Sequence, residues 1–506
     1  MPDIVITTHG IEKLLKELQV NKATGPDSIP ARILKNCASV IAPILQKIFQ
    51  KSISTGTIPQ DWRVANVSPI FKKGDRSLPS NYRPVSLTSI VCKQLEHIIA
   101  SNIMAHCDKN SILNDRQHGF RRGRSCETQL SGLIDDLSQI LDRRGQADLC
   151  IMDFSKAFDV VPHRRLLLKL DHIGIRTNVN EWIESFLTNR TQRVIIDGEI
   201  SSSSDVMSGV PQGTVLGPLL FLVYINDLPD CVSSNVRLFA DDLIVYRQID
   251  SPNDCTSLQD DITALCDWES LWQMKFNASK CFIMRMTHKR RPICHNYFLG
   301  DSALQEVKHH PYLGVELSND LSWAKHISQT VSSANKVLGL LKRNLWNCSP
   351  SIKETAYKSL VRPKLEYASS IWDPYCTTHI ESIEKVQRRA ARFVKNDYLR
   401  TSSVKSMLKD LNWDSLELRR TKVRLTTLFK ESHGSIPSNV SHLLTKSKSL
   451  HTRKTHALNY IIPSANKDCY RYSLYPRTIP LWNDLPPELK SAPSVLSFKQ
   501  LLDKQM

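Results

Sequence analysis

The sequence predicts an α+β domain followed by a basic region that is nearly all helix. Strand-like and helical runs mix with antiparallel-looking hairpins up to residue 317, and helical spacing dominates from residue 318 onwards. Residues 318–506 contain 31 Lys and Arg against 15 Asp and Glu, a net charge of +16, whereas residues 1–317 carry only +1. Such a basic region predicts a polyanionic partner, with counterion release driving association. A basic surface kept for solubility is the alternative.

The composition is that of a soluble globular protein. The chain has 506 residues, 41% of them hydrophobic and 23% charged, a length that suggests roughly three structural units. No apolar stretch approaches the roughly 20 residues that span a bilayer, and the first residues lack a signal-peptide core. The thirteen cysteines are scattered singly without CxxC pairs. We therefore expect an intracellular protein with reduced thiols and no disulfide framework.

Periodicity and turn residues predict the elements in order. Helices are predicted at 11–20, 31–53, 85–106, 127–145, 163–175, 180–187, 213–229 and 253–275, and beyond residue 318. Strands are predicted at 64–71, 147–154, 192–198, 236–246, 281–286 and 312–317, with turns at 21–30 and 72–84. The sequence shows no internal repeat, so a solenoid is not expected.

One predicted strand carries two adjacent carboxylates at its centre. In VRLFADDLIVY at 236–246, Asp241 and Asp242 interrupt an otherwise apolar run. Burying two unpaired carboxylates costs several kcal/mol, roughly, unless a strong positive charge lies between them. A hairpin turn explains the pair equally well, because Asp is common at hairpin tips.

A second strand, in LCIMDFSKAFDVVPH at 149–163, ends at another carboxylate, Asp153. If it is a neighbour of the hairpin at 236–246, its carboxylate converges with Asp241 and Asp242. Converging aspartates are what a pair of Mg²⁺ ions requires, because Mg²⁺ prefers carboxylate oxygens and substrate phosphates. Two such ions can activate an attacking hydroxyl and stabilise a leaving pyrophosphate.

Around these aspartates the chain resembles the reverse transcriptases of non-LTR (LINE-type) retrotransposons, most closely the jockey-like group. The resemblance covers nearly the whole chain, and a lone FADD would be weak evidence for it. Seven motifs stand in the family's order: IFKKGDRSLPSNYRPVSL at 70–87, QHGFRRGRSCETQL at 117–130, MDFSKAFD at 152–159, SGVPQGTVLGPLLF at 208–221, FADD at 239–242, NASKCFIM at 277–284 and YLGVEL at 312–317. Seven motifs in order are highly specific.

The resemblance implies a right-hand polymerase, with fingers and a palm built on antiparallel sheet, then a helical thumb and a helical C-terminal region. It implies three segments: an N-terminal helical linker region at 1–53, a fingers and palm domain at 54–317, and a basic thumb and C-terminal region at 318–506. The activity it implies is RNA-directed DNA synthesis, in which a primer 3′-hydroxyl on an RNA template attacks a deoxynucleotide.

The resemblance also implies the metal ligands. Asp153 and Asp241 would bridge two Mg²⁺ ions, and Asp242 would ligate them or orient the other ligands. Phe154 would contribute only its backbone carbonyl to the metal shell. Lys280 is a candidate for protonating the departing pyrophosphate, although an exposed lysine without that role fits the sequence as well.

Cations of the first motif are implied to bind the substrate triphosphate. Lys73, or Lys72 beside it, and Arg83 would neutralise charge that builds on the leaving group. Surface cations on a turn are the alternative. Phe158 would lie under the sugar and exclude a 2′-hydroxyl, unless it is a plain core residue.

Other motif residues are implied to contact the nucleotide and the nucleic acid. Gln212 and Gly213 would let main chain and amide approach the incoming nucleotide and the template base. Arg121, Arg122 and Arg124 suit template phosphates, although a solvated loop is equally consistent with them. The residues Tyr312, Leu313 and Gly314 belong to the motif that holds the primer.

The basic helices of the C-terminal region are expected to track the backbone of an RNA–DNA hybrid. Basic and aromatic residues alternate in RRAARFV at 388–394, and ELRRTKVR at 417–424 adds cations. The expected partners are therefore an RNA template, a DNA primer or target, and dNTPs, without a membrane. A nuclear location is expected from the resemblance.

Complete elements of this family usually carry an upstream endonuclease of apurinic type, and many carry CCHC knuckles. Neither is found in this sequence, and no separate RNase H pattern is present. A fragment, a partial gene model or a degenerate copy would explain this. The competing functions are therefore a domesticated copy that binds RNA without polymerising, and an unrelated Mg²⁺-dependent hydrolase, against which the PQG and YLGV motifs argue.

Overall fold

The computed structural model describes residues 1–436, 444–446 and 458–506. Within these ranges the strands form two five-stranded sheets and two small hairpins. In chain order the strands are β1 (Val64–Phe71), β2 (Tyr82–Leu87), β3 (Gln146–Met152), β4 (Arg190–Ile196), β5 (Glu199–Ile200), β6 (Ser204–Val206), β7 (Asn235–Phe239), β8 (Asp242–Gln248), β9 (Phe282–Thr287), β10 (Phe298–Leu299), β11 (Ser302–Ala303), β12 (Gln305–Glu306), β13 (His309–Tyr312) and β14 (Val315–Ser318).

Helices flank both sheets and make up most of the chain after residue 318. The earlier ones are α1 (Thr8–Lys16), α2 (Ala31–Asn36), α3 (Ala38–Ser54), α4 (Ile90–Lys109), α5 (Cys126–Asp142), α6 (His163–His172), α7 (Thr177–Leu187), α8 (Leu216–Tyr224) and α9 (Pro252–Trp272). The later ones are α10 (Ala324–Asn344), α11 (Pro350–Ala356), α12 (Arg362–Glu366), α13 (Ser369–Trp372), α14 (Thr377–Lys395), α15 (Val404–Asp410), α16 (Leu416–Ser432), α17 (Asp468–Arg471), α18 (Leu474–Asn483), α19 (Pro487–Lys490) and α20 (Val495–Gln505).

The central sheet has the strand order β12-β9-β3-β8-β7. Its middle strand, β3, pairs antiparallel with β8 on one side and β9 on the other, and every residue of β3 is buried. Both faces of the sheet are therefore covered, which explains the apolar run from Leu149 to Met152. The prediction that the two aspartate-bearing strands are neighbours is confirmed.

Three hydrophobic cores hold the protein together. The first packs α1–α3 and other helices onto one face of the central sheet, and includes residues from Ile4 to Leu299. The second packs α5 and the helices from α10 to α15 onto the opposite face. The third joins α16 to the helices near the C-terminus. The first core includes residues before 53, and the second includes residues after 317. The central sheet is therefore buried partly by helices that precede it and partly by helices that follow it in the sequence.

The helix predicted at 85–106 begins later than the sequence suggested. Residues 82–87 form β2 and pair antiparallel with β1, with Val85 opposite Ser68. The helix α4 starts at Ile90, where the Ser89 hydroxyl accepts a hydrogen bond from the Cys92 amide. The prediction of a turn at 72–84 followed directly by a helix was therefore wrong. The β-branched Val85 lies in a strand, and Ser89 caps the helix that follows.

The other predicted elements are present within a few residues of their expected bounds, as α1–α3, α5–α9, β1, β3, β4, β7, β8, β9 and β14 show. After residue 318 the regular elements of the described residues are helices, apart from an isolated bridge between Lys446 and Tyr460. The thirteen cysteines are free thiols, and five of them are buried. In the described ranges no helix is both long enough and apolar enough to cross a bilayer.

Two buried carboxyl groups lie where the C-terminal helices meet α5. The Glu431 side chain on α16 accepts a hydrogen bond from the Tyr475 hydroxyl at 3.0 Å, and that hydroxyl lies 2.7 Å from the Ser131 Oγ on α5. Burial raises the pKa of Glu431 to about 7, and the nearby Asp135 adds to the shift. Burial likewise raises the pKa of Asp135 to about 7.

These two groups predict a pH-dependent stability. Between about pH 4 and pH 7 the unfolded chain releases protons that the folded protein keeps, so the free energy of unfolding falls as pH rises through that window. We expect it to fall by roughly 1–3 kcal/mol between pH 5 and pH 8. The combined variant Asp135→Asn with Glu431→Gln should flatten the dependence of melting temperature on pH. The exposed Asp250→Asn serves as the control, and parallel curves for wild type and the combined variant would contradict the assignment.

Candidate active site

The Asp-Asp pair lies in the turn between β7 and β8. Phe239 ends β7 and pairs with Asp242, the first residue of β8, which leaves Ala240 and Asp241 as a two-residue turn. Ala240 adopts a positive φ of 54°. Residues other than glycine rarely adopt this conformation, so the turn needs support from its surroundings. The structure therefore shows a hairpin turn that also presents carboxylates. The turn and the cation-binding interpretations of the sequence are thus compatible.

The three aspartates converge at one end of the central sheet. Met152 pairs with Leu243, so Asp153 follows β3 directly beside the start of β8. Burial raises the pKa of Asp242 to about 6, with further contributions from Asp241 and Asp153. Burial also raises the pKa of Asp241, and Asp153 adds to that shift. The carboxylates therefore repel one another, and a cation among them would relieve the repulsion.

Lys280 lies at the same cluster. Its Nζ is 2.7 Å from the Asp153 Oδ2, and the side chains are 62% and 28% exposed. A short 3-10 turn, Ala278–Lys280, carries it next to β9, and the Asn277 amide donates to the Asp153 carbonyl at 2.8 Å. Lys280 is thus placed within reach of whatever binds the carboxylates, as a proton donor to a departing group must be.

The cluster fits divalent cations by the chemistry of its donors, since Mg²⁺ takes carboxylate oxygens and leaves room for substrate phosphates. In the described ranges no group of three or more His, Cys, Asp or Glu side chains is arranged so that it could hold a metal ion by itself. An open carboxylate set is consistent with a site that completes its coordination with substrate oxygens. Phe154 is buried and stacks on Phe276 at 4.4 Å between ring centroids, so only its main chain is free for the role predicted for it.

Two predicted substrate cations face the carboxylates. The positive charges of Arg83 and Lys72 act on the Asp241 carboxyl and lower its pKa against the effect of burial. Both side chains are exposed, Lys72 just after β1 and Arg83 within β2. Lys73 is exposed on the same turn. Lys72 is close enough to the Asp241 carboxyl for its positive charge to lower the pKa of that group.

The loop at 208–215 crosses the end of β2. The Ser86 amide donates to the Gln212 carbonyl at 2.7 Å, and the Gln212 Nε2 donates to the Asp159 Oδ1 at 2.9 Å. Gly213 has a φ of 103°, and a Cβ there would meet the Ser86 carbonyl oxygen at 2.7 Å. Only glycine allows this approach, so the structure explains Gly213 by its main chain and leaves a contact of Gln212 with a nucleotide as a prediction.

Phe158 lies between two other aromatic rings. It stacks on Phe221 with centroids 4.5 Å apart and meets the edge of Phe120 at 6.2 Å. The Val210 amide donates to the Phe158 carbonyl at 2.7 Å. The ring is partly buried and packs against the first core, so its position is consistent with a wall beside the sugar and with core packing.

The arginines of the loop at 121–124 differ from one another. The Arg121 guanidinium donates to the carbonyls of Leu113 and Asn114, and Arg124 pairs with Asp115 at 2.5 Å and is only 5% exposed. These two side chains fix the loop through neighbouring acceptors, and contact of either one with template phosphates stays a prediction. Arg122 is exposed and keeps its predicted role as a candidate phosphate contact.

Tyr312, Leu313 and Gly314 form the tip of the β13–β14 hairpin. Leu313 and Gly314 both have positive φ, of 47° and 79°, which suits a tight two-residue hairpin turn. The Tyr367 hydroxyl donates to the Leu313 carbonyl at 2.8 Å, and Tyr312 is buried. The hairpin tip is therefore anchored to α12 and its successor loop, and contact of these residues with a primer remains a prediction.

The basic helices are less open than their sequences suggest. In RRAARFV, Phe393 is buried and Arg392 donates to carbonyls of the loop that follows α14. In ELRRTKVR the cations form internal ion pairs: Arg419 with Glu366, Arg420 and Arg424 with Asp373, and Lys422 with Asp414 and Asp503. These cations already have partners within the protein, and contact of the two stretches with a nucleic-acid backbone stays a prediction.

Two residues that sequence reasoning missed support the site. Glu96 on α4 is fully buried, and its Oε2 accepts hydrogen bonds from the amides of Val215 and Leu216, which fixes the start of α8. Gln117 contacts the turn that carries Asp241. The signals were a lone Glu on the apolar side of a helix and a Gln beside the glycine of QHGF.

Comparison with known proteins identifies residues 70–317 as matching the family "Reverse transcriptase (RNA-dependent DNA polymerase)". The chain is 28% identical over 390 residues to a probable RNA-directed DNA polymerase from transposon X-element of Drosophila melanogaster, which covers 74% of this chain and 42% of that protein. It is 28% identical over 426 residues to the RNA-directed DNA polymerase from mobile element jockey of Drosophila funebris, with 81% and 46% covered. A probable RNA-directed DNA polymerase from transposon BS of Drosophila melanogaster is 27% identical, with 82% and 47% covered. The chain thus spans less than half the length of these curated relatives.

The mixed fold, the converging carboxylates and the matched domain are similar to those of nucleic-acid polymerases. Enzymes of this class generally use divalent metal ions. Residues 70–317 match the reverse-transcriptase family, and the chain is similar to the RNA-directed DNA polymerases of the X-element and jockey mobile elements. The resemblance predicted from the seven motifs is confirmed.

Proposed function

We propose that this chain is an RNA-directed DNA polymerase that extends a primer 3′-hydroxyl on an RNA template. The hydroxyl oxygen forms a bond to the α-phosphorus of a dNTP, and the bond to the pyrophosphate breaks. The observation that carries the proposal is the convergence of Asp153, Asp241 and Asp242 beside Arg83 and Lys72, within a matched reverse-transcriptase domain.

Each side chain of the cluster has a role that follows from its position. Two Mg²⁺ ions held by Asp153, Asp241 and Asp242 would activate the hydroxyl and stabilise the leaving group. Arg83 and Lys72, which face Asp241, would bind the triphosphate and orient it. Lys280, close to Asp153, would donate a proton to the departing pyrophosphate.

The proposal assigns parts of the fold to parts of a polymerase. The central sheet, with β3 and the β7–β8 hairpin, would be the palm, and β1, β2 and the loop at 117–124 would belong to the fingers. The helices from α10 onwards would form the thumb and C-terminal region of 318–506, and α1–α3 the linker region of 1–53. The segment 54–317 would bind dNTPs, and the RNA template and DNA primer would lie between palm and thumb.

Salt dependence tests whether the thumb binds nucleic acid. Lys336 and Arg343 on α10 and Lys385 on α14 are exposed. Replacing all three by Gln should weaken binding to an RNA–DNA hybrid and reduce the slope of log affinity against log salt by about 1 for each cation. Lys51→Gln on α3 is the matched control. An unchanged slope in the triple variant would place the hybrid away from α10 and α14.

Primer extension tests the proposed function directly. Purified protein with an RNA template, an annealed DNA primer, dNTPs and Mg²⁺ should yield DNA of template length. The second candidate, a copy that binds RNA without synthesis, would bind the hybrid and leave the primer unextended. No position of the catalytic cluster favours that candidate, because each predicted carboxylate is present and placed with the others.

A further inference from the structure

The segment before the arginine loop adds to the edge of the central sheet beside the aspartate turn. The Leu238 amide donates to the Arg116 carbonyl at 3.0 Å, and the His118 amide donates to the Leu238 carbonyl at 2.9 Å. Gln117 thereby forms a parallel bridge to Leu238 of β7. The segment runs next to the strand that leads into the turn, two residues before Ala240.

The Gln117 side chain closes around the main chain of Ala240. Its Oε1 accepts hydrogen bonds from the Ala240 amide at 2.8 Å and from the Gly119 amide at 2.7 Å. Its Nε2 donates to the Ala240 carbonyl at 3.3 Å. The side chain is 3% exposed, so water does not readily replace these bonds.

Ala240 is the residue whose conformation sets the direction of the aspartates. Its φ of 54° is unusual for a residue with a side chain, and Asp241 follows it directly. Gly119 lies so close that a Cβ on it would be 2.3 Å from the Ala240 nitrogen. The turn is therefore held by hydrogen bonds with the Gln117 side chain and by close packing against the main chain of Gly119.

We infer that Gln117 is a positioning residue, which fixes the Ala240–Asp241 turn so that the Asp241 carboxylate stays directed at Asp153. The inference rests on the proposed function, because it assigns the turn a metal-binding purpose. Removing a group that orients a metal ligand through hydrogen bonds typically lowers metal affinity 10- to 100-fold. Gln117 contributes in this way without touching the metal or the substrate.

The chain offers a closely matched control. Gln146, at the opposite end of β3, is fully buried, and it also binds both polar groups of one main-chain residue. Its Oε1 accepts from the Ile293 amide at 2.9 Å, and its Nε2 donates to the Ile293 carbonyl at 2.8 Å. Gln117→Met and Gln146→Met both remove hydrogen bonds to one main-chain residue, one at the aspartates and one about 20 Å away along the strand. Gln146→Met also removes a hydrogen bond of 3.0 Å to the Asp148 Oδ1.

The first measurement is hydrogen exchange in metal-free protein, followed by mass spectrometry of a peptide spanning residues 236–243. Gln117→Met should speed exchange in this peptide at least tenfold, because the Ala240 amide loses its acceptor, and Gln146→Met should leave it unchanged. The second measurement is binding of Mn²⁺ alone, followed by its paramagnetic resonance signal. Gln117→Met should weaken binding 10- to 100-fold, with Gln146→Met close to wild type.

DNA synthesis provides the third measurement. The Mg²⁺ concentration for half-maximal synthesis should rise in Gln117→Met, while KM for dNTP stays near the wild-type value. Gly119→Ala, which displaces the same turn without removing a hydrogen-bonding side chain, should give the same pattern and carries the test if Gln117→Met does not fold. Wild-type Mn²⁺ affinity in a folded Gln117→Met or Gly119→Ala protein overturns the inference. If wild type extends no primer while exchange and Mn²⁺ binding change as expected, the proposed function fails and the positioning role stands.

Discussion

Replacing Asp153 by Asn should abolish DNA synthesis, with a loss of at least about a thousandfold in rate. Asn keeps the shape of the side chain but lacks the charge that holds a divalent cation. The same result is expected for Asp241→Asn. Binding of an RNA–DNA hybrid should persist, because that contact depends on cations elsewhere. Primer extension and hybrid binding, measured on the same preparations, check both statements.

The fold should tolerate these substitutions. Asp153 and Asp241 raise the pKa of Asp242, so removing either charge relieves a repulsion within the metal-free protein. The melting temperature of the variants should therefore equal or exceed that of wild type. Asp414→Asn is the control, because Asp414 forms an ion pair of 2.8 Å with Lys422, similar in length to the pair of Asp153 with Lys280. This variant should leave synthesis unchanged. Near-normal extension by Asp153→Asn would show that the metal ligands lie elsewhere.

Replacing Phe158 by Val should reduce discrimination against ribonucleotides by roughly ten- to a hundredfold. The ring has little freedom, because Phe221 stacks on one side of it and Phe120 meets it edge-on. A rigid wall beside the bound sugar excludes a 2′-hydroxyl sterically, and a shorter side chain leaves space for it. The measurement is single-nucleotide extension with matched deoxy- and ribonucleotides on wild type and variant.

Loss of packing alone must be separated from loss of the wall. Phe186→Val removes a ring that stacks on Trp182 with centroids 5.4 Å apart, in a fully buried position on α7. It should lower stability without altering the ratio of ribonucleotide to deoxynucleotide incorporation. If Phe158→Val behaves in the same way, with an unchanged ratio in an active protein, Phe158 serves packing and the selecting group is another residue.

The aspartate cluster could be predicted from the sequence because burial and charge conflict there. Asp241 and Asp242 interrupt an apolar strand, and such a conflict indicates either a turn or a cation. The structure shows a two-residue turn, Ala240–Asp241, at the end of the β7–β8 hairpin. This turn also leaves the carboxylates where a cation could bind them. The position of Asp153 could be predicted because it ends an apolar run of strand character.

Pairing between distant side chains could not be read from composition. The cations at 417–424 look like a nucleic-acid contact in sequence, but their partners, such as Glu366 and Asp373, lie about 50 residues away. Arg124 and Asp115 are close in sequence, yet only the folded loop directs one at the other. Gln117 was missed for a related reason, because its partner is the main chain of Ala240, which carries no sequence signal.

The shared core behind the central sheet has a consequence for interrupted copies of the gene. Leu149, Ile244 and Met284 belong to the second core, which α5 shares with the helices from α10 to α15, although every aspartate of the site precedes residue 243. A reading frame stopped at residue 317 would encode the three aspartates and α5, but it would expose the apolar surface that α5 and the sheet share with the later helices. Such a product should aggregate or be degraded rather than persist as an inactive competitor of the full chain. Loss of the helical half would thus remove truncated chains through quality control of their folding.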